Sequence, residues 1–299
     1  MHYPDADLMC LQLPHRVFDG HIRAGTINGQ PTTSVDEYRR IRDANPANVR
    51  PILEASPHSL VFGSWDSTRR SHQGRYRSAL VGEVIGVLAD QGPGADEVPA
   101  AGGARSDSYA PSVQLSADDM ATLLDAQADE LSVRNVEGIR KEMLKRKPVS
   151  GSALGLGSVP PSLSQLGVVA CSRIIRSHLL SFSTLRALRF SAGPDGDAAC
   201  RTLLAAFALA GLARVMADPR LRANCDLVEK SAPAFTLDAR YGRSRDIEPL
   251  NVPAADALLT EAVAHAESVA GIRWKGQVLG VKGNPLIAQA KSDEDDAEA

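Results

Sequence analysis

The stretch Ala198–Ala217 (AACRTLLAAFALAGLARVMA) commits twenty residues of the chain to one conformation. Its apolar density and its stop at Asp218-Pro219 predict a helix. Its longest wholly apolar or Gly run, Leu203 to Ala213, ends at Arg214 and is far shorter than the roughly 20 residues a membrane span needs. The helix therefore has to find its partner within the protein. A second long helix is predicted from Ala254 to Gly271. At 299 residues, the chain can build one elaborated domain or two modest ones around a core of Leu, Val, Ile and Ala, because aromatics make up only 4%.

Between and before these helices the chain breaks into short pieces. LMCLQLP predicts an opening strand, and HRVFDGHIRAGTINGQPTT a β-hairpin turning at Asn28-Gly29, a pair that accepts positive φ. Ser34 and Glu37 have capping-box spacing for a helix over 34–45. Ser59–Gly63 reads as a buried strand. Arg75–Ala89 reads as a helix, from Leu80, Val84, Ile85 and Leu88 at helical spacing. Residues 91–115, rich in Gly, Pro, Ala and Ser, read as a mobile insertion. Ser116 caps a further helix, and PVSGSALGLGSVPPSLSQLG (148–167) interrupts regular structure. A strand follows over 168–178, then a helix near 183–189 and one or two strands in 226–237. Strands and helices alternate without a strict βαβ rhythm, which predicts an α+β fold in a single domain over 1–292.

The net charge of -3 is misleading, because residues 293–299 contain five of the 36 acids and no base, as a solvated tail would. The remainder sets 33 bases against 31 acids. Such balance argues against wholesale coating of DNA but permits a local basic track. Cys10, Cys171, Cys200 and Cys225 stand apart, without the paired spacing of a zinc site or a disulfide framework. With acids where a signal peptide needs bases, the N-terminus predicts a soluble, cytoplasmic protein.

The local basic track is Ser64–Arg77. Arg69, Arg70, Arg75 and Arg77 lie among Ser64, Ser67 and Thr68 beside Trp65, with no acid between Asp66 and Glu83. Guanidiniums and hydroxyls suit phosphate oxygens, and Trp65 or Tyr76 would stack on a base. The competing reading is a solvated loop with its Trp in the core. GSALGLG (151–157) lacks the spacing of either nucleotide-binding glycine motif. RKEMLKRK (140–147) is most simply a basic helix end at the negative pole of its dipole. On the later strand, Arg176 and His178 share a face that Arg173 does not. No constellation of residues asks for a reaction, a metal or a cofactor.

VFGSWDSTR followed by GRYRSALVGEV, then GLGSVPP, LGVVACSRIIRSHLLSFSTLRALRF and LRANCDLVE, resembles the backbone subunit of the type I-G (formerly I-U) CRISPR Cascade complex. That subunit belongs to the Cas-seven group of the RAMP superfamily. The motifs run in order from about Ser59 to about Glu229; residues 91–115 and the acidic tail have no counterpart. The resemblance implies a modified RRM-like (ferredoxin-like) core with inserted finger and thumb elements. It implies a non-catalytic subunit that stacks head to tail along CRISPR RNA and leaves bases free to pair with target DNA. Its partners would be other Cascade subunits, and a separate helicase-nuclease would cut the target. Carried onto this sequence, the RNA contacts are Ser64, Trp65, Ser67, Thr68, Arg69, Arg70, Arg75 and Arg77, with Arg23, Arg176 and His178 as weaker members. Gly155–Pro161 would belong to the thumb. Two alternatives are a metal-dependent RAMP ribonuclease using Asp66 and an α+β protein adaptor that binds no nucleic acid.

Overall fold

The computed structural model describes residues 2–3, 6–8, 15–66, 68, 74–88, 113–145, 147–156, 171–218, 228–274, 279–289 and 291–292. The chain divides into two units: one comprises 1–181 and 276–299, the other 182–275.

The first unit opens with β1 (His2–Tyr3) paired to β2 (Ala6–Leu8). The segment expected to be one arm of a hairpin is instead helical: a 3-10 turn over Arg16–Phe18 leads into α1 (Gly20–Arg23). Asp19 caps α1 by accepting from the His21 backbone N–H at 3.0 Å. The hairpin itself is short, β3 (Thr26–Ile27) against β4 (Gln30–Pro31), and turns at Asn28 (φ 50°) and Gly29 (φ 78°) as the sequence predicts. Next come α2 (Asp36–Arg42), α3 (Arg50–Ala55) and α4 (His58–Val61). The predicted capping box does not form, because the Ser34 hydroxyl donates back to the Pro31 carbonyl and Val35 occupies the cap.

Two further elements depart from expectation. Leu60 and Val61 are buried as predicted, but on α4, a helix that Pro57 initiates, and not on a strand. The stretch expected to be a helix over Arg75–Ala89 is extended as far as it is described: β6 (Arg75–Tyr76) pairs with β5 (Ser64–Trp65), and β7 (Leu80–Leu88) continues the chain. LVGEVIGVL contains three Val, one Ile and two Gly, all poorer helix formers than Ala, and this composition overrides its helical spacing.

Beyond residues 91–112, which lie outside the described residues, β8 (Val113–Leu115) leads into α5 (Ala117–Asp125). Ser116 caps α5 by accepting from the Asp119 N–H, as its sequence predicts. Ser132 caps α6 (Val133–Met143), and β9 (Val149–Ser150) precedes a 3-10 turn over Gly151–Leu154. Leu115, Met120, Leu123, Leu124, Ile139 and Leu154 form the core of this part. A long strand, β10 (Cys171–Leu180), pairs antiparallel with β7 through nearly its whole length.

In the second unit, α7 (Phe182–Arg186) precedes α8 (Gly193–Ala217), which begins five residues earlier than predicted. Taken over all its 25 residues, and not over the uninterrupted run 203–213 alone, α8 is long and apolar enough to cross a membrane, the one such helix among the described residues, although 44% of its apolar window is buried within the protein. Ala210 and Ala213 of α8 pack against Ala255 of α9 (Val252–Ala270), where small side chains bring the two helix backbones close. Arg214 reinforces the pair through an ion pair to Asp256 at 2.8 Å. A hairpin, β11 (Phe235–Asp238) with β12 (Ser244–Ile247), lies between the two helices in sequence. The first unit is completed by α10 (Pro285–Gln289) and by β13 (Lys291–Ser292), which pairs with β8 in a sheet of order β13-β8-β9.

The fold is therefore α+β, as expected. Its described strands form only two- and three-stranded sheets, and the four-stranded sheet of an RRM-like core is not among them.

Candidate nucleic-acid interface

The basic segment divides into a buried base and an exposed rim. At the base, Ser64 is buried and its hydroxyl donates to the Ser59 carbonyl at 3.1 Å. Tyr76 is also in the core: its ring stacks on Phe18 and its hydroxyl donates to the Ala44 carbonyl at 2.8 Å. Neither is placed to meet a ligand, so Ser64 is corrected to an anchor and Tyr76 to a core residue.

At the rim, Trp65 is 41% exposed, which removes the reading of a Trp folded into the core. β-Pairing sets Trp65 directly opposite Arg75. The Arg75 guanidinium lies 5.0 Å from the indole centroid, and His15 meets the same ring edge-on at 6.1 Å. Such a cation over an aromatic face holds both planar groups in position at the surface. Arg75 and Arg77, two residues apart, are both exposed. Ser67, Arg69 and Arg70 lie outside the described residues.

Arg23 is corrected most sharply. It is fully buried, and its guanidinium is shared among four residues from three parts of the first unit. Nη1 donates to Asp66 Oδ2 at 2.8 Å and to Thr68 Oγ1 at 2.9 Å; Nε donates to Gln127 Oε1 at 3.1 Å; Nη2 donates to the Leu154 carbonyl at 2.6 Å. A group so placed organises the loop and does not grip a phosphate. Asp66 Oδ1 in turn accepts from the Thr68 N–H and hydroxyl, at 2.8 and 2.7 Å. The Thr68 carbonyl accepts from the Ser132 N–H at 3.0 Å and from Asn135 Nδ2 at 3.3 Å. Every polar group of Thr68 is thus engaged just where the arginine-bearing stretch begins. The close approach on the far side depends on Gly20, since a Cβ there would lie 2.6 Å from the Leu154 and Gly155 carbonyl oxygens.

Arg176 and His178 share one face of the β7–β10 ribbon, opposite Val84 and Gly82. Gly82 leaves room for the imidazole, for a Cβ would come within 2.6 Å of His178 Nδ1. Partial burial of a mostly exposed ring, and then the Arg176 guanidinium, hold His178 below its ordinary range, so it offers a neutral ring at physiological pH. The other face is mixed: Val81, Ile85 and Val87 stand with Ile175 and Leu179, all exposed, and Arg173 and a Ser177–Glu83 pair, the hydroxyl donating to Glu83 Oε1 at 2.9 Å, lie among them. Of Gly155–Pro161, Gly155 and Leu156 are described, in a turn that accepts Arg23's bond; the rest lies outside the described residues.

One basic turn escaped the sequence reading. RYGRSR, residues 240–245, has three arginines around an exposed Tyr241 and forms the tip of the β11–β12 hairpin. Its likeness to GRYR at 74–77 was the available signal.

Residues 2–91 match the family model for CRISPR-associated protein GSU0053 (Cas_GSU0053). The match spans under a third of the chain but includes the whole of Ser64–Arg77, and it supports a role in a CRISPR-Cas system. No curated protein and no solved structure matches the chain.

Proposed function

We propose that the protein is the backbone subunit of a type I-G CRISPR Cascade complex, of the Cas-seven group. In this reading it polymerises head to tail along CRISPR RNA in the cytoplasm, with other Cascade subunits, and recruits a helicase-nuclease. The observation that carries the proposal is the outward-facing Trp65–Arg75 pair with Arg77 beside it, inside the segment that matches a CRISPR-associated family. Arginines can hold the sugar-phosphate track, which has no sequence information, and so serve any spacer while its bases pair with target DNA. The exposed apolar side chains of the β7–β10 ribbon, Val81, Ile85, Val87, Ile175 and Leu179, suit the protein neighbours such stacking requires. An RRM-like core with a finger and a thumb remains part of the proposal, on the strength of the resemblance alone.

A ribonuclease using Asp66 is disfavoured, because that carboxylate is buried at 4% exposure and both its oxygens are engaged by Arg23 and Thr68. We therefore assign no catalytic role.

The test is Arg75→Ala with Arg77→Ala, measured against guide RNAs of unrelated spacer sequence at several salt concentrations. Affinity should fall by the same factor for every spacer, and the slope of log K against log salt should flatten by about 0.7 per lost phosphate contact. A loss that varied strongly with spacer would overturn the backbone-grip reading.

A further inference from the structure

The β11–β12 hairpin of the second unit takes no part in the Trp65–Arg75 grip. Its strands pair Asp238 with Ser244 and Leu237 with Arg245, and the Ala239 N–H donates to the Arg243 carbonyl at 2.7 Å to close the loop. At the tip, Tyr241 (φ 64°, ψ 36°) and Gly242 (φ 68°) both occupy the left-handed region. That pair of conformations selects Asn-Gly, and the chain uses Asn28-Gly29 for the same purpose in its first hairpin. Here it places Tyr where Asn fits better. Burial does not compensate, since Tyr241 is 91% exposed. A local conformational cost at an exposed aromatic, with no packing to offset it, is expected where the ring has a ligand.

The charges around it agree. Arg240, Arg243 and Arg245 are all exposed, with no acid from 239 to 245; Asp238 and Asp246 flank the segment. Among the described residues, none of these three guanidiniums forms an ion pair, and their single hydrogen bond is a long one, 3.4 Å from Arg243 Nε to the Arg240 carbonyl. An uncovered aromatic face between free guanidiniums fits alternating base and phosphate.

We propose that this hairpin is a second binding element for single-stranded nucleic acid, Tyr241 stacking on a base while Arg240 and Arg243 hold flanking phosphates. The element is independent of the Trp65–Arg75 rim, although its biological setting rests on the CRISPR reading.

The test uses the full chain, a labelled single-stranded RNA and the DNA of the same base sequence. Tyr241→Asn should weaken binding about tenfold or more, the scale of one lost stack, while the melting temperature holds or rises because Asn suits the turn. Tyr241→Trp should restore affinity. Arg240→Gln and Arg243→Gln should each lower the salt slope by about 0.7. Loss on RNA alone identifies the guide as the strand held, and loss on DNA alone a displaced or target strand. Wild-type affinity in all of these variants, with binding still sensitive to Arg75→Ala, would overturn the hairpin and leave the backbone-grip reading standing. The reverse pattern would do the opposite. Binding of anionic vesicles but of neither strand would overturn both.

Discussion

Arg23 and Asp66 act as one unit at the base of the basic segment, and their opposite charges make the unit testable. Were Arg23 a phosphate contact, removing Asp66 would free it and strengthen RNA binding. As a buried pair that fixes Thr68, Arg23→Ala and Asp66→Ala should act in the same direction. Each should weaken RNA binding and cost about 3–5 kcal/mol of stability, the scale for stranding one member of a buried ion pair. The double variant should lose much less than the sum, as a double-mutant cycle by urea unfolding would show. Opposite signs on RNA affinity would contradict the assignment. Sequence singled out both residues, but not their partnership, because 43 positions separate them and only the fold brings them together. The exposure of Trp65 was equally unreadable: a Trp beside charges fits a core anchor or a surface platform, and the cross-strand Arg75 decides between them.

At the scale of elements, legibility followed how strongly the local signal agreed with tertiary packing. The α8 and α9 helices, the Asn28-Gly29 turn and the Ser116 cap were readable because propensity, punctuation and burial point the same way. The α4 and β7 elements were misread. HSLV is too short for period to separate helix from strand, and β7 has no alternation to read because both its faces are exposed. That exposure carries a prediction. Ile85→Asp or Leu179→Asp, among the exposed apolar side chains of the ribbon, should change the folding free energy by no more than about 0.5 kcal/mol, as for surface sites. The same variants should abolish self-association on RNA, as sedimentation would report. Marked unfolding would mean that the face is packed within the monomer. The ribbon also holds His178, whose depressed pKa means that its share of stability is complete above the ordinary value of 6.5 and declines as pH falls below it. Because the imidazole is exposed, that share is small, and His178→Gln should flatten only a minor part of the acid side of a stability profile.

For the whole molecule, a nearly balanced charge with local clusters of arginine beside aromatic rings is what a guide-RNA scaffold requires. Uniform positive charge would capture any nucleic acid and repel neighbouring copies. Here exposed Arg75 lies against exposed Trp65 with Arg77 nearby in one unit, and arginines surround exposed Tyr241 in the other. The central claim, that copies of this chain assemble on RNA by its backbone, is tested most directly by purifying the protein from cells that transcribe CRISPR RNA and determining the size and nucleic-acid content of what elutes. The account predicts a long nucleoprotein particle whose RNA is protected along its length whatever the spacer. A monomer with a protein-like ultraviolet spectrum, and no retardation of added CRISPR RNA, would contradict it.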